Sequence, residues 1–157
     1  QIGAKAMWDY GILNKLGKVN KPVMVKRSFA ATTQECCQIA EYLFNYGNKN
    51  VIVCERGIRT FETNTRFTLD LCGAAWIKNK TILPVALDPS HAMGYSYGVP
   101  ELSLACIATN PSGIIIETHP DPKSAKSDAS QQLNFKEFRM LFKKMKSVAS
   151  AIGCNLK

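Results

Sequence analysis

Four short runs of apolar, largely β-branched residues recur along the chain, and each ends abruptly in polar chemistry. PVMV runs into Lys26-Arg27, VIVC into Glu55-Arg56, PVAL into Asp88-Pro89-Ser90-His91, and GIII into Glu117-Thr118-His119. The runs recur about every 30 residues, the length of one strand-crossover-strand step. Short strands that are apolar on both faces, with helical sequence between them, are the pattern of a parallel sheet covered by crossover helices.

The intervening segments carry helix signals. In TTQECCQIAEYLFNYGN (32–48), Thr32 and Glu35 have capping-box spacing, Ile39, Leu43 and Phe44 share one face, and Gly47 marks the stop. A second helix is expected over 64–78 and a third from Pro100, a favoured first-turn residue. The last opens at Asn134, has Glu137 three residues on, and runs to Ile152. The opening Gln1-Ile2-Gly3-Ala4 reads as the tail of a further strand, followed by a helix over 7–17. The chain therefore reads as four and a fraction βα units.

With 157 residues, 46% hydrophobic and 20% charged, the composition is that of one globular domain. No stretch approaches the ~18 apolar residues of a membrane span. The start, QIGAKAMWDY, lacks the basic and apolar regions of a signal peptide. The six cysteines form no C-x-x-C pair, and Cys54, Cys72 and Cys106 sit in apolar runs. Buried free thiols and a cytoplasmic location without a membrane partner are the expectation. The first residue is Gln1 and not Met, so the chain is expected to be a fragment or a processed product.

A formal net charge of +8 invites nucleic acid or phosphate. Much of it lies in KEFRMLFKKMK (136–146), where cations alternate with Phe, Met and Leu at helical spacing, as on a solvated helix face. Clustered cations with stacking aromatics are not evident, and no nucleic-acid partner is expected.

Parallel strands place their C-terminal ends on one face, where barrels of this type build active sites. Cations there suit phosphate groups of a small substrate. His91 with Glu117, and Asp128 from the following loop, offers one nitrogen and two oxygen ligands for a divalent metal. Singly, each residue has a plainer reading: a solvated loop cation, a capped histidine, an Asp-Pro-Ser turn. Recurrence on four successive strands favours a shared site.

QIGAK, KPVMVKR, NVIVCERGIRTFE, LPVALDPSHAMGY and IIIETHPDPKSAKSDASQQL, in this order and spacing, resemble 3-deoxy-D-arabino-heptulosonate 7-phosphate (DAHP) synthase. The related octulosonate-phosphate synthases share the fold, but CERGIRTFE points away from them. The resemblance implies an α/β fold of the (β/α)8 TIM-barrel family, with residues 1–157 forming a partial barrel: the end of strand 4 and βα units 5–8. It implies a 3-deoxy-7-phosphoheptulonate synthase, an aldol-type transferase of the shikimate pathway. That enzyme joins phosphoenolpyruvate and erythrose 4-phosphate with a divalent metal of the Mn, Fe, Co or Zn type.

By the same resemblance, Lys26 and His91 are catalytic, and Lys5, Lys26 and Arg56 bind substrate. His91, Glu117 and Asp128 are metal ligands, and Asp88 orients His91 or a bound water. Three departures stand out. Lys5 replaces the arginine of the family's QIGAR, Ser28 replaces a glycine after Lys-Arg, and the first half of the barrel is absent. That half would bring a fourth, cysteine ligand and the segment holding erythrose 4-phosphate. Gly153 to Lys157 reads as the natural close of the last helix. The missing strands are expected from another segment, a partner chain or a second copy in a homo-oligomer. A non-catalytic half-barrel serving interaction or regulation is the alternative reading.

Overall fold

The computed structural model describes residues 1–156; Lys157, the last residue of the expected closing segment, lies outside them. Four strands, β1 (Val23–Lys26), β2 (Val51–Glu55), β3 (Val85–Leu87) and β4 (Gly113–Ile114), form one sheet in the order β1-β2-β3-β4. All three pairings are parallel, with Val25 opposite Val53, Val53 opposite Val85, and Leu87 opposite Ile114. Ile2 bridges Val25 in parallel and exchanges backbone hydrogen bonds with Met24 and Lys26, at 2.8 and 3.0 Å. The opening residues thus lie in parallel beside β1, where the sequence reading places the tail of a further strand.

The helices are α1 (Tyr10–Leu16), α2 (Thr33–Asn45), α3 (Leu71–Lys80), α4 (Pro89–Met93), α5 (Val99–Ala108) and α6 (Phe135–Ala151). Capping boxes start α2, through Thr32 and Glu35, and α6, through Asn134 and Glu137, so both predicted start signals operate. The sequence-based helix over 64–78 begins later. Asp70 caps α3 by accepting from Gly73 N at 2.7 Å, and residues before it form a loop in which Ile58 pairs with Thr68. The short α4 was not anticipated. Asp88 caps it, Pro89 stands in its first turn, and Gly94 ends it in the left-handed region at φ 77°.

Period-2 alternation sorts the strand side chains onto two faces. Val23, Val25, Val51, Val53, Val85 and Leu87 pack against Cys36, Ile39, Ala40, Leu43, Ala74, Ile77 and Cys106, all buried. This helix-covered layer is the main core. A second cluster joins α5 and α6 through Val99, Ile107, Leu141, Met145 and Ala149, with Ile114 and Ile116 against it. On the opposite sheet face Met24, Ile52 and Ile115 are only half-buried. In a closed barrel of the expected type this would be the interior face; here it belongs to a four-stranded parallel sheet.

Candidate active site and metal centre

The same alternation divides the strand-end charges. Arg27 and Glu55 fall on the helix side, where Arg27 Nη1 donates to Glu55 Oε2 and Asp70 Oδ2, each at 2.8 Å. Its Nε donates to Ala31 O at 2.9 Å. Glu55 also accepts from Gly57 N at 2.6 Å, and it is fully buried. Burial pushes its carboxyl above the usual range, against the pull of Arg27. These two residues hold a loop to a strand and stand apart from Lys26, Arg56, His91, Glu117 and Asp128.

Lys26 and Asp88 fall on the interior face. Lys26 Nζ donates to Asp88 Oδ2 at 3.1 Å, and the same oxygen lies 2.8 Å from His91 Nδ1. The second contact is a close approach that is not aligned as a hydrogen bond along the ring N–H. Asp88 Oδ1 accepts from His91 N at 3.0 Å, so one buried carboxylate both starts α4 and fixes the imidazole carried by it. Burial alone would raise the Asp88 carboxyl, but contact with His91, and then the Lys26 charge, holds it below its ordinary value.

With Nδ1 turned to Asp88, the His91 ring offers Nε2 to the open side. Nε2 lies 3.6 Å from Glu117 Oε1 and 4.0 Å from Asp128 Oδ2, and the three ligand atoms lie within 4.8 Å of one another. Glu117 is set by its backbone N–H, which donates to the buried Ser90 Oγ at 3.0 Å. Asp128 adopts the left-handed backbone region (φ 51°), which Asp tolerates better than most residues. One imidazole nitrogen and two carboxylate oxygens at these separations fit a divalent cation bonded at about 2.0–2.2 Å to each. The donor set therefore suits the expected metal.

Arg56 is buried on the interior side of the same strand ends, its guanidinium 4.5 Å from the Phe67 ring centroid. Its Nη1 is buried without a hydrogen-bond partner among the described residues. Burial, and then the neighbouring charge of Arg66, depresses its pKa. An anionic ligand would relieve both penalties. Lys5 lies at the same end of the sheet, three residues past Ile2, in an exposed 3₁₀ turn (Ala4–Ala6) with no polar side-chain partner among the described residues. Ser28 is buried in a turn closed by Ala31 N donating to Ser28 O at 3.1 Å. His119 is not among the clustered ligands: its Nδ1 is 2.7 Å from Asp121 O and accepts from Asp121 N at 3.1 Å, bracing a loop.

Sequence reading missed Arg66 and Gln131. Arg66 Nη1 donates to Asp128 Oδ1 and to Gln131 Oε1, both at 2.8 Å, and Gln131 Nε2 donates to Glu117 Oε2 at 2.6 Å. Arg66 arrives there because the loop after β2 is tied to α4 by Arg66 N and Phe67 N donating to Met93 O and Ala92 O. The approach is tight: a Cβ on Gly94 would meet Arg66 Cβ at 2.5 Å, and one on Gly57 (φ 98°) would meet Phe67 Cβ at 2.6 Å. The distant partner of each glycine was not visible in the sequence.

A parallel βα array that gathers cations, an imidazole and two carboxylates at its strand ends belongs to the barrel-type α/β class with a strand-end site. More particularly, the chain belongs to the DAHP synthetase I family, whose model matches residues 1–153. It is 46% identical over 153 residues to a phospho-2-dehydro-3-deoxyheptonate aldolase of Thermotoga maritima, covering 98% of this chain and 45% of that protein. A 2-dehydro-3-deoxyphosphooctonate aldolase of Bradyrhizobium diazoefficiens is 32% identical, over 92% of this chain and 55% of its own length. The chain thus spans about half the length of the curated relatives it matches. The structure of a truncated 3-deoxy-D-arabino-heptulosonate 7-phosphate synthase from Thermotoga maritima superposes with a TM-score of 0.97 and 45% identity. That match covers 100% of this chain and 60% of the other.

Proposed function

We propose that the chain supplies the metal-binding and phosphoenolpyruvate-binding half of a DAHP synthase. The reaction forms a carbon–carbon bond between C3 of phosphoenolpyruvate and the aldehyde carbon of erythrose 4-phosphate. Water adds at C2, and phosphate leaves by C–O cleavage. One observation carries the reading: in a chain of this family, His91 Nε2, Glu117 Oε1 and Asp128 Oδ2 face one another beside Lys26 and the partner-free Arg56 Nη1.

In this reading Arg56 and Lys26 bind the phosphate and carboxylate of phosphoenolpyruvate, with Lys5 supplying further positive charge at the rim. Lys26 is already placed by Asp88 and can donate to substrate without leaving that carboxylate. His91, Glu117 and Asp128 hold a divalent ion of the Mn, Fe, Co or Zn type, and Asp88 keeps the imidazole turned toward it. A metal at this position supplies Lewis acidity, polarising the aldehyde and lowering the pKa of a bound water.

Residues 1–157 act as one partial barrel domain, completed by a further segment, a partner chain or a second copy, with homo-oligomeric assembly. A cytoplasmic location in aromatic amino-acid biosynthesis accords with the six free cysteines. No helix among the described residues is long and apolar enough to cross a membrane.

The test is phosphate release from phosphoenolpyruvate that depends on erythrose 4-phosphate, with Mn²⁺, with and without a strand 1–4 fragment of the Thermotoga relative. Activity restored by the fragment and lost in His91→Ala supports the reading. Phosphoenolpyruvate and Mn²⁺ binding without turnover in any combination supports the non-catalytic alternative, which Lys5 and Ser28 favour.

A further inference from the structure

Both carboxylates of the three-residue cluster have their outward oxygen hydrogen-bonded, and the outward nitrogen of His91 lies beside Asp88. Asp88 faces His91 Nδ1, Gln131 Nε2 donates to Glu117 Oε2 at 2.6 Å, and Arg66 Nη1 donates to Asp128 Oδ1 at 2.8 Å. The atoms that face one another are the remaining ones, Nε2, Oε1 and Oδ2. We infer that Arg66 and Gln131 form a bracket that restricts Glu117 and Asp128 to one oxygen each toward a divalent cation. This rests on the metal-site reading above and specifies how the site is shaped.

The bracket is continuous. Arg66 Nη1 also donates to Gln131 Oε1 at 2.8 Å, so the path runs Asp128–Arg66–Gln131–Glu117. Charge fixes the Gln131 amide in this orientation. Flipping it would turn its N–H groups toward the guanidinium and its oxygen toward the Glu117 carboxylate, replacing two attractions by two repulsions. Burial of Gln131 raises the cost of any such mismatch. The guanidinium offsets part of the repulsion between two carboxylates crowded around one imidazole nitrogen.

The bracket also limits what the cluster can bind. A carboxylate held by one oxygen cannot swing to chelate with both without breaking a charge-assisted hydrogen bond. Three ligands giving one atom each leave positions on a four- to six-coordinate ion for a substrate oxygen and water. Arg66 and Gln131 are thus positioning residues that act through Glu117 and Asp128.

Mn²⁺ alone, titrated into the full chain and followed by calorimetry and by the spin-resonance signal of free Mn²⁺, tests the bracket. Arg66→Met and Gln131→Met should each weaken binding about 10–100-fold, the usual effect of losing a partner of a metal ligand. Co²⁺ spectra of these variants should change in band shape, and Arg66→Lys should recover part of the affinity. Melting of the metal-free Arg66→Met protein should stay near that of the parent, because the Arg66 side chain is 41% exposed. Should Gln131→Met fail to fold, Arg66→Met decides alone. Affinity within twofold of the parent and an unchanged Co²⁺ spectrum in Arg66→Met overturn the bracket while leaving the metal site standing. Binding that survives His91→Ala, or no binding by the parent, overturns the metal-site reading and the bracket with it.

Discussion

Asp88 Oδ2 stands between two groups of opposite purpose, 3.1 Å from Lys26 Nζ and 2.8 Å from His91 Nδ1. A single buried carboxylate thereby links the strand-end cation that would meet an anionic substrate to the imidazole that would meet a metal. Its other oxygen caps α4 through His91 N. Position of the ring and start of the helix are consequences of the same residue.

Two substitutions separate these roles. Asp88→Asn keeps an oxygen for the cap and removes the charge. Its expected effect is a fall of about 10–100-fold in Mn²⁺ affinity, with the fold retained. Asp88→Ala also removes the cap, which costs roughly 1 kcal/mol more in unfolding free energy. Equal denaturation midpoints for the two variants would show that the cap contributes nothing.

Arg27 and Glu55 give a stability prediction with no functional component. The pair is buried, at 2.8 Å, and Arg27 also ties in Asp70. Arg27→Met leaves Glu55 buried without its cation, and breaking such a pair costs about 3–5 kcal/mol. Urea denaturation should register that loss, while Mn²⁺ affinity of the protein that remains folded should hold. Replacing both partners with apolar residues of similar size should recover most of the stability.

The thiols predict an alkaline limit. Burial pushes the thiols of Cys54 and Cys106 up to about 12 from an ordinary value of 9.0, and Cys36 is raised further for the same reason. A raised folded-state pKa gives stability that is complete below the unfolded value and lost as pH rises through the folded one. Unfolding free energy should therefore decline from about pH 9 toward pH 12. Under native conditions at neutral pH, the exposed Cys72 should react with a disulfide reagent while Cys36, Cys54 and Cys106 do not. Rapid modification of Cys54 in the folded protein would contradict its placement.

Legibility followed the range of the signal. Strand period, both capping boxes and the parallel order depend on neighbours in sequence, and these were readable. His91 and Glu117 were legible from their positions just past β3 and β4, whereas Asp128, fourteen residues beyond β4, was legible only through the motif. Arg66 and Gln131 were not, because their meeting depends on a loop tied back onto a short helix that Asp88 caps. Cys72 shows the same limit: its apolar run suggested burial, but it sits on the solvent side of α3 and is exposed. Arg27 and Glu55 adjoin Lys26 and Arg56 in sequence, but strand alternation sends them to the helix face.

Arg56 gives the sharpest binding prediction. Its guanidinium lies 4.5 Å from the Phe67 ring, and Phe67 in turn stacks on Phe29 with centroids 5.4 Å apart. The aromatic pair holds the cation's plane, while Nη1 remains buried and without a partner among the described residues. Arg56→Lys preserves the charge but loses both the stacked plane and the two-pronged grip on phosphate. Losing one charge-assisted contact of about 1.5–3 kcal/mol corresponds to roughly 10–100-fold weaker phosphoenolpyruvate binding. Phe67→Leu keeps Arg56 but removes its platform, so a smaller loss, about 3–10-fold, is expected from an interaction worth about 0.5–1 kcal/mol or somewhat more when desolvated. Calorimetric titration with phosphoenolpyruvate measures both, and Mn²⁺ affinity measured beside it should be unchanged. If Arg56→Lys binds phosphoenolpyruvate as tightly as the parent, the partner-free Nη1 is not the anion's contact, and Lys26 and Lys5 must carry the phosphate without it.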